Sequence, residues 1–335
     1  MMEKLLFVGL PEHKRTASFE FFTQLLENTY QIEYTKITID KNWTNTTYAY
    51  NRIIFWQRLP PPEHLRAVSP TSVVYVPMYD EARNYNRQVI RTWAPFKIIS
   101  FCRSIHEDLT AWGFNSKYVQ YFPKPMVEAP LPLAVHKAFF WKREGSYINE
   151  AIPDAMIPLL LHDSGMKLHY HSETKPVCEK EFEDMVASRS SWLRSKEEMI
   201  SLLRECSLYI APRESEGIGM SFLDAMANGL AVAGADNPTM NEYISDGQNG
   251  YLFDLMKPLP INLENLQQVR EKSLESCQAG YEKWEKEKWS LIDFIEEPHP
   301  SSLLVQVPRG FEYRSLKQKS MSFRAKRLVK RLAGK

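Results

Sequence analysis

The chain has 335 residues, 44% of them hydrophobic and 25% charged, with a net charge of +1. That composition is ordinary for a soluble globular protein, and the length exceeds one comfortable core, so two domains of about 130–160 residues are expected. Four cysteines without a C-x-x-C pair exclude a disulfide framework and a zinc site and fit a reducing, intracellular compartment, while no apolar run reaches the ~20 residues of a membrane span and Leu5–Leu10 is too short for a signal peptide.

In chain order, Lys4–Gly9 predicts a buried strand and Ser18–Asn28 a helix. Strands follow at Ile32–Ile39, Arg52–Trp56 and Ser72–Val76, with a short helix opening at Pro60–Pro62 because proline suits the first helical turn. A helix over Glu81–Arg91, which Asp80 would cap, precedes strands at Lys97–Phe101 and Lys117–Tyr121, separated by a helix from about Ser104. Such alternation predicts a parallel sheet covered on both faces. Pro123–Pro132 holds four prolines in ten residues and reads as a linker. Strands resume at Ala138–Trp141, Lys167–His171 and Leu208–Ala211, and Ser195 with Glu198 forms a capping-box pattern at a helix start. Helix Met220–Asn228 stops at Gly229, the usual glycine position, and strand Leu230–Gly234 follows. Asp246–Gly250 is a turn before strand Tyr251–Phe253, and Asn262–Trp289 is helix-compatible. The expected division is an amino-terminal Rossmann-like domain over 1–124, a linker over 125–137, a second Rossmann-like domain over 138–260, a helical extension over 261–298 and a basic tail over 299–335.

The stretch Leu208–Phe253 organises the rest. Strand, glycine loop, helix and strand make one βαβ unit, and parallel sheets bind ligands beyond the carboxyl ends of their strands. Pro212, Glu216-Gly217-Ile218-Gly219, Asp224, Ala225, Gly229, Glu242 and Asp246-Gly247 with Gly250 fall in a fixed order there. This pattern resembles the carboxy-terminal half of the GT-B glycosyltransferases, most closely the large retaining family 4. The resemblance implies an α/β architecture of two Rossmann-like domains facing across a cleft, and a nucleotide-sugar donor, UDP- or GDP-linked, as co-substrate with no other cofactor. It gives Asp224 the ribose and Glu216 the sugar.

The spacing has a physical reason. A helix start presents free N–H groups and partial positive charge to a diphosphate, and Gly217 and Gly219 let the backbone approach it without a Cβ. Met220, Ser221 and Phe222 would offer the N–H groups. Two departures stand out. The second acid is Asp224 where the family has Glu, and only Lys142 and Arg143 supply the first of the family's two basic clamp positions. Nothing basic lies between Glu144 and Met166 except His162. Arg213, where the family has Ser, is the candidate replacement. Asp80, after the strand Ser72–Val76, is the candidate catalytic acid of the amino-terminal lobe, with His106 the weaker alternative. The chain lacks Asp-x-Asp, so the leaving diphosphate would be met by arginine, lysine and the helix dipole without metal.

The bland alternatives are a solvated loop acid for Glu216, a surface salt bridge for Arg143 and ordinary polar or core histidines for His162, His169 and His171. Trp284 and Trp289 read as packing residues. Residues 314–335 carry nine of the 42 basic side chains and no acid, leaving 33 basic against 41 acidic elsewhere. Met321, Ala325, Leu328 and Leu332 form one helical stripe in this tail, which reads as a segment that binds an anionic membrane surface. No aromatic platform accompanies it, so nucleic acid is not the expected partner. The expected protein is a cytoplasmic transferase at the inner face of the membrane, moving a sugar to a glycan on a lipid carrier in surface polysaccharide synthesis. A nucleotide-sugar epimerase and a non-catalytic assembly subunit on the same scaffold are the rival classes.

Overall fold

The computed structural model describes residues 2–10, 18–36, 49–60, 72–131, 136–143, 151–173, 180–191, 193, 195–299 and 303–308. The chain divides into two compact units, the first of Met1–Gln120 with Lys283–Tyr313, the second with its described residues in Tyr121–Glu282.

In the first unit, β1 (Glu3–Gly9), β2 (Tyr30–Lys36), β3 (Arg52–Trp56), β4 (Val73–Val76), β5 (Lys97–Ser100) and β6 (Ser116–Tyr118) form a sheet in the order β2-β1-β3-β4-β5-β6. Every pairing is parallel. Successive side chains point to opposite faces, and both faces are buried. Leu6, Val8, Ile53, Phe55, Tyr75 and Ile98 share one core. Phe7 and Trp56 turn the other way and meet Phe22 and Phe101 as an aromatic cluster. Helices α1 (Glu20–Leu26), α2 (Tyr79–Ala82), α3 (Arg87–Arg91) and α4 (Arg103–Ala111) connect these strands.

The second unit holds β7 (Lys137–Trp141), α5 (Met156–Leu160), β8 (Lys167–His171), α6 (Lys180–Met185), β9 (Val186–Ser190), α7 (Lys196–Arg204), β10 (Leu208–Ile210), α8 (Met220–Ala227), β11 (Ala231–Ala235), α9 (Met240–Tyr243) and β12 (Tyr251–Phe253). Its sheet is again parallel, in the order β12-β11-β10-β7-β8-β9. The chain ends its regular structure, among the described residues, with α10 (Leu266–Glu287) and α11 (Trp289–Glu296). Lys97, 1% exposed at the start of β5, donates from Nζ to the carbonyls of Phe294 at 2.9 Å, Ile295 at 2.7 Å and Glu297. One buried ammonium thus occupies the orphan carbonyls and the negative end of α11.

Several expectations need correction. The single helix over Glu81–Arg91 is two, because the Asn86 side chain accepts the N–H groups of Gln88 at 3.0 Å and Val89 at 3.1 Å and starts α3 afresh. Asp80 lies inside α2, whose N-cap position is Met78, so it is not the expected cap. The strand placed at Ile32–Ile39 begins two residues earlier, at Tyr30. Strand β9, with sequence VASRS, is not among the expected elements because it alternates polar residues at a sheet edge. Trp284 is buried against Phe21 and Phe101, but Trp289 is 46% exposed and packs only partly. The helix expected from Pro60–Pro62 and the tail 314–335 lie outside the described residues.

The proline-rich segment carries neither helix nor strand over Tyr121–Leu131. It is fastened to the second unit. Met126 N–H donates to Ala227 O at 2.8 Å, and Arg270 donates to Gly229 O at 3.0 Å and Leu131 O at 2.8 Å.

Candidate functional site

The chain leaves β10 into a loop that reaches α8 at Gly219. Glu214 and Ser215 are buried in that loop. The segment after β11 holds it from behind. Asn237 Nδ2 donates to Glu214 O at 3.0 Å, and the Thr239 hydroxyl donates to Glu216 O at 3.4 Å and Ile218 O at 3.3 Å. Asn237 and Thr239 are not among the expected site residues, although the Asn-Pro-Thr turn straight after a strand is visible in the sequence. Gly219 has φ of +90°. A Cβ there would sit 1.9 Å from Cε1 of Phe222, which packs on Tyr243 with ring centroids 5.5 Å apart.

Helix α8 buries Phe222, Leu223, Ala225, Met226 and Ala227. Met220, Ser221 and Asp224 are half-buried and share its other face, at the i, i+3 and i+4 spacings of helix neighbours. The Phe222 N–H, expected to serve a ligand, donates to Gly219 O at 3.1 Å. The amides of Met220 and Ser221 remain as the ones the helix start can present. At the far end, Arg270 grips the carbonyl of Gly229, so both ends of α8 are pinned.

Tyr209, in the middle of β10, is the point around which the charges gather. Burial pushes its hydroxyl up to about 12, with Ser221 and Arg143 easing ionisation and Glu216 and Asp224 opposing it. Burial also lowers the Arg143 guanidinium, while Tyr209, Glu216 and Glu173 favour its charge and Arg213 disfavours it. Arg143, Glu216, Ser221 and Asp224 are therefore brought within electrostatic reach of one tyrosine, and Arg213 within reach of Arg143. Arg143 lies over the Trp141 ring with Cζ 3.4 Å from the centroid. Asp224 also reaches the other side of the helix start, where it raises Tyr121 and Cys277, burial being the larger cause for both. Arg213 is half-buried in a bridge with Ala151.

Lys142 does not join them. Its Nζ pairs with Asp154 Oδ1 at 2.7 Å, with the two side chains 20% and 12% exposed. That pair ties the end of β7 to the turn before α5, an engagement other than the diphosphate contact expected of Lys142. In the first unit, Asp80 is half-buried and accepts the Glu81 N–H at 3.1 Å. His106 faces Ser116 Oγ at 3.0 Å and stacks on Tyr118, and burial lowers its pKa. His169 and His171 are buried against Ser188 and Ser190, and His171 is held down to about 4 by burial, His169 and Arg143. Among the described residues no group of His, Cys, Asp and Glu could hold a metal ion, and no helix is long and apolar enough to cross a membrane.

The profile of the glycosyl transferases group 1 matches residues 188–258, which contain β10, the glycine loop, α8 and β11. The chain resembles the group 1 glycosyltransferases and has their GT-B fold. Sixty-two residues are 36% identical to the GtfA subunit of a UDP-N-acetylglucosamine–peptide N-acetylglucosaminyltransferase of Streptococcus pneumoniae. The match covers 18% of this chain and 12% of that protein. The corresponding subunit of Limosilactobacillus reuteri is 38% identical over the same length. Among solved structures, Anabaena HepE in complex with UDP-glucose aligns at TM-score 0.56 and 12% identity, covering 87% of this chain and 100% of that one. Sucrose-phosphate synthase from Thermosynechococcus elongatus aligns at TM-score 0.58 and 10% identity, covering 87% and 98%. At such identities the likeness is one of GT-B fold.

Proposed function

We propose that this chain transfers a glycosyl group from a nucleoside-diphosphate sugar to a hydroxyl acceptor. One observation carries the reading: two arginines, Arg143 and Arg213, converge with Glu216 at the carboxyl end of the second sheet, beside the start of α8. Like charges gathered in a half-buried site call for an anion, and a helix start supplies further donors to it. In this reading Arg143, Arg213 and the amides of Met220 and Ser221 take the diphosphate, with Gly217 and Gly219 permitting its approach. Asp224 takes the ribose and Glu216 the sugar. The acceptor hydroxyl oxygen bonds to the anomeric carbon as the sugar–phosphate C–O bond breaks; that bond's electrons leave on the diphosphate, which takes up the hydroxyl proton, and its charge is met by these cations and the helix dipole without metal. Resemblance to the family adds retention of anomeric configuration and a place for Asp80 as the catalytic acid of the amino-terminal unit. UDP is the first nucleotide to try, since HepE was crystallised with UDP-glucose. The test is direct binding of UDP-glucose, UDP-N-acetylglucosamine and GDP-mannose to the protein and to its Glu216→Ala variant. One donor should bind, with the sugar's share of affinity lost in the variant; binding of none would overturn the reading.

For the acceptor, we propose a glycan on a lipid carrier at an anionic, cytoplasm-facing membrane surface, the support being the nine basic residues and no acid of 314–335. Salt-sensitive binding to anionic vesicles should vanish when 314–335 is deleted; equal binding by the truncated protein sinks that part. A second reading, a donor-binding assembly subunit, is favoured by the two relatives that are named as subunits. Turnover of a bound donor with a glycan acceptor separates the two.

A further inference from the structure

Trp141, the last residue of β7, carries the Arg143 guanidinium on its ring, with Cζ 3.4 Å from the ring centroid. Only a cation lying parallel to the ring fits at that distance, since a tilted one would drive a nitrogen into it. A guanidinium stacked by its face keeps its N–H groups, which all lie in its plane, for partners at its edge. Trp141 is itself held by the sheet. It is the register partner of His171 on β8, and the two rings meet edge to face at 4.9 Å and 84°. His171 is 2% exposed, and its Nδ1 lies 2.7 Å from Oγ of its own register partner on β9, Ser190. The half-buried indole is thus set by a row that crosses three strands. Phe140, one residue earlier, pairs with Ile210 on β10. Trp141 and Arg143 therefore leave the sheet beside the loop that carries Arg213 and Glu216, and both of these act electrostatically on Arg143.

We propose that Trp141 is a positioning residue for the donor site: its ring holds the face of the Arg143 guanidinium and so aims the edge N–H groups at the diphosphate of a nucleoside-diphosphate sugar. The inference rests on the donor-site reading above and deepens it by naming what orders the cation. A long arginine side chain left free must give up rotamer freedom when it meets an anion. Stacked on Trp141, Arg143 has given up that freedom before the ligand arrives. A carboxylate in the same place would also hold the arginine, but its charge would repel a diphosphate. The indole attracts the cation through its ring quadrupole and carries no formal charge. Lys142, the next residue in the chain, shows the other arrangement, since it is neutralised by Asp154 at 2.7 Å.

The experiment is a double-substitution cycle, Trp141→Leu, Arg143→Ala and both, read by UDP and uridine binding and by thermal unfolding without ligand. Trp141→Leu should bind UDP roughly tenfold more weakly than the parent protein, the effect of losing a desolvated cation–ring contact. Uridine, which has no phosphate, should bind the two alike. The double variant should bind UDP no more weakly than Arg143→Ala, because Trp141 acts only through that arginine. Trp141→Phe keeps a ring with a weaker attraction for cations and should fall between, at roughly a threefold loss for UDP. It carries the same cycle if the leucine variant does not fold. Unchanged UDP affinity in the folded variant overturns the proposal. Equal losses for UDP and uridine would make Trp141 a packing residue only, and additive losses in the double variant overturn the route through Arg143. Failure of the parent protein to bind any nucleoside diphosphate, GDP included, would instead strike the donor-site reading itself.

Discussion

Replacing Gly219 by alanine strains the start of α8 in two separable ways. The backbone there has φ of +90°, and an L side chain in the left-handed region costs about 1–2 kcal/mol. The added Cβ would also stand 1.9 Å from Phe222 Cε1 and 2.6 Å from Cδ1. That ring is 1% exposed and edge-on to Tyr243, which is in turn edge-on to Phe122 at 5.0 Å, so it has nowhere to swing. Overpacking of this kind costs about 1–3 kcal/mol. Gly247 is the internal reference, because its φ is +69° and a Cβ added there would meet no atom within 4 Å. Gly247→Ala should lose the backbone share alone, about 1–2 kcal/mol, and keep its ligand affinity. Gly219→Ala should lose about 1–3 kcal/mol more and bind UDP at least roughly tenfold more weakly, since the amides of Met220 and Ser221 move with the helix start. Urea unfolding of the two variants at matched slope measures the difference, and UDP titration the second effect. Equal destabilisation of the two variants would show that Phe222 yields and that close approach is not what demands glycine at 219.

Other outcomes follow from the same contacts. Lys142→Ala should lose about 1 kcal/mol of stability in urea, a half-buried ion pair's worth, with UDP affinity unchanged, whereas Arg143→Ala should lose affinity and little stability. His171 is held down to about 4 in the folded protein, against 6.5 in its absence. The unfolded chain therefore binds this proton first, and stability should fall as pH drops from about 6.5 to about 4, by up to ~3 kcal/mol, then level off. His171→Gln should flatten that part of the pH profile of the urea midpoint. Lys97→Met should unfold about 2–4 kcal/mol more easily, because three carbonyls at the end of α11 lose their donor, and proteolysis of the chain after Glu296 should quicken.

Much of the fold was legible because parallel strands buried on both faces read as unbroken apolar runs. Arg52–Trp56 and Lys167–His171 match β3 and β8 residue for residue. Strand β9 escaped because an edge strand with one solvated face has no such run, and Asp80 was misplaced because Asn86, not helix propensity, decides where α3 begins. At the candidate site, the placement of Glu216, Gly219 and Asp224 around the start of α8 was legible because they are neighbours within one βαβ unit. Lys142 was not, since its partner Asp154 is set by how the turn before α5 folds back on β7.

The same contacts explain why the glycine loop needs support from outside itself. In the proposed donor site, Gly217 and Gly219 would give it the freedom to approach a ligand, and freedom alone would leave the amides of Met220 and Ser221 poorly aimed. The loop carbonyls of Glu214, Glu216 and Ile218 are taken by Asn237 and Thr239 from behind, and the end of α8 is taken by Arg270. Arg270 is 3% exposed and spends the same guanidinium on Leu131, so the proline-rich segment and the far end of α8 share one donor. Preorganisation of the helix start is thus set by residues that lie 18 or more positions away from Gly219 in the chain. Binding then has few rotors left to freeze, which is where a site built on one short helix can gain affinity that its contact list alone would not give.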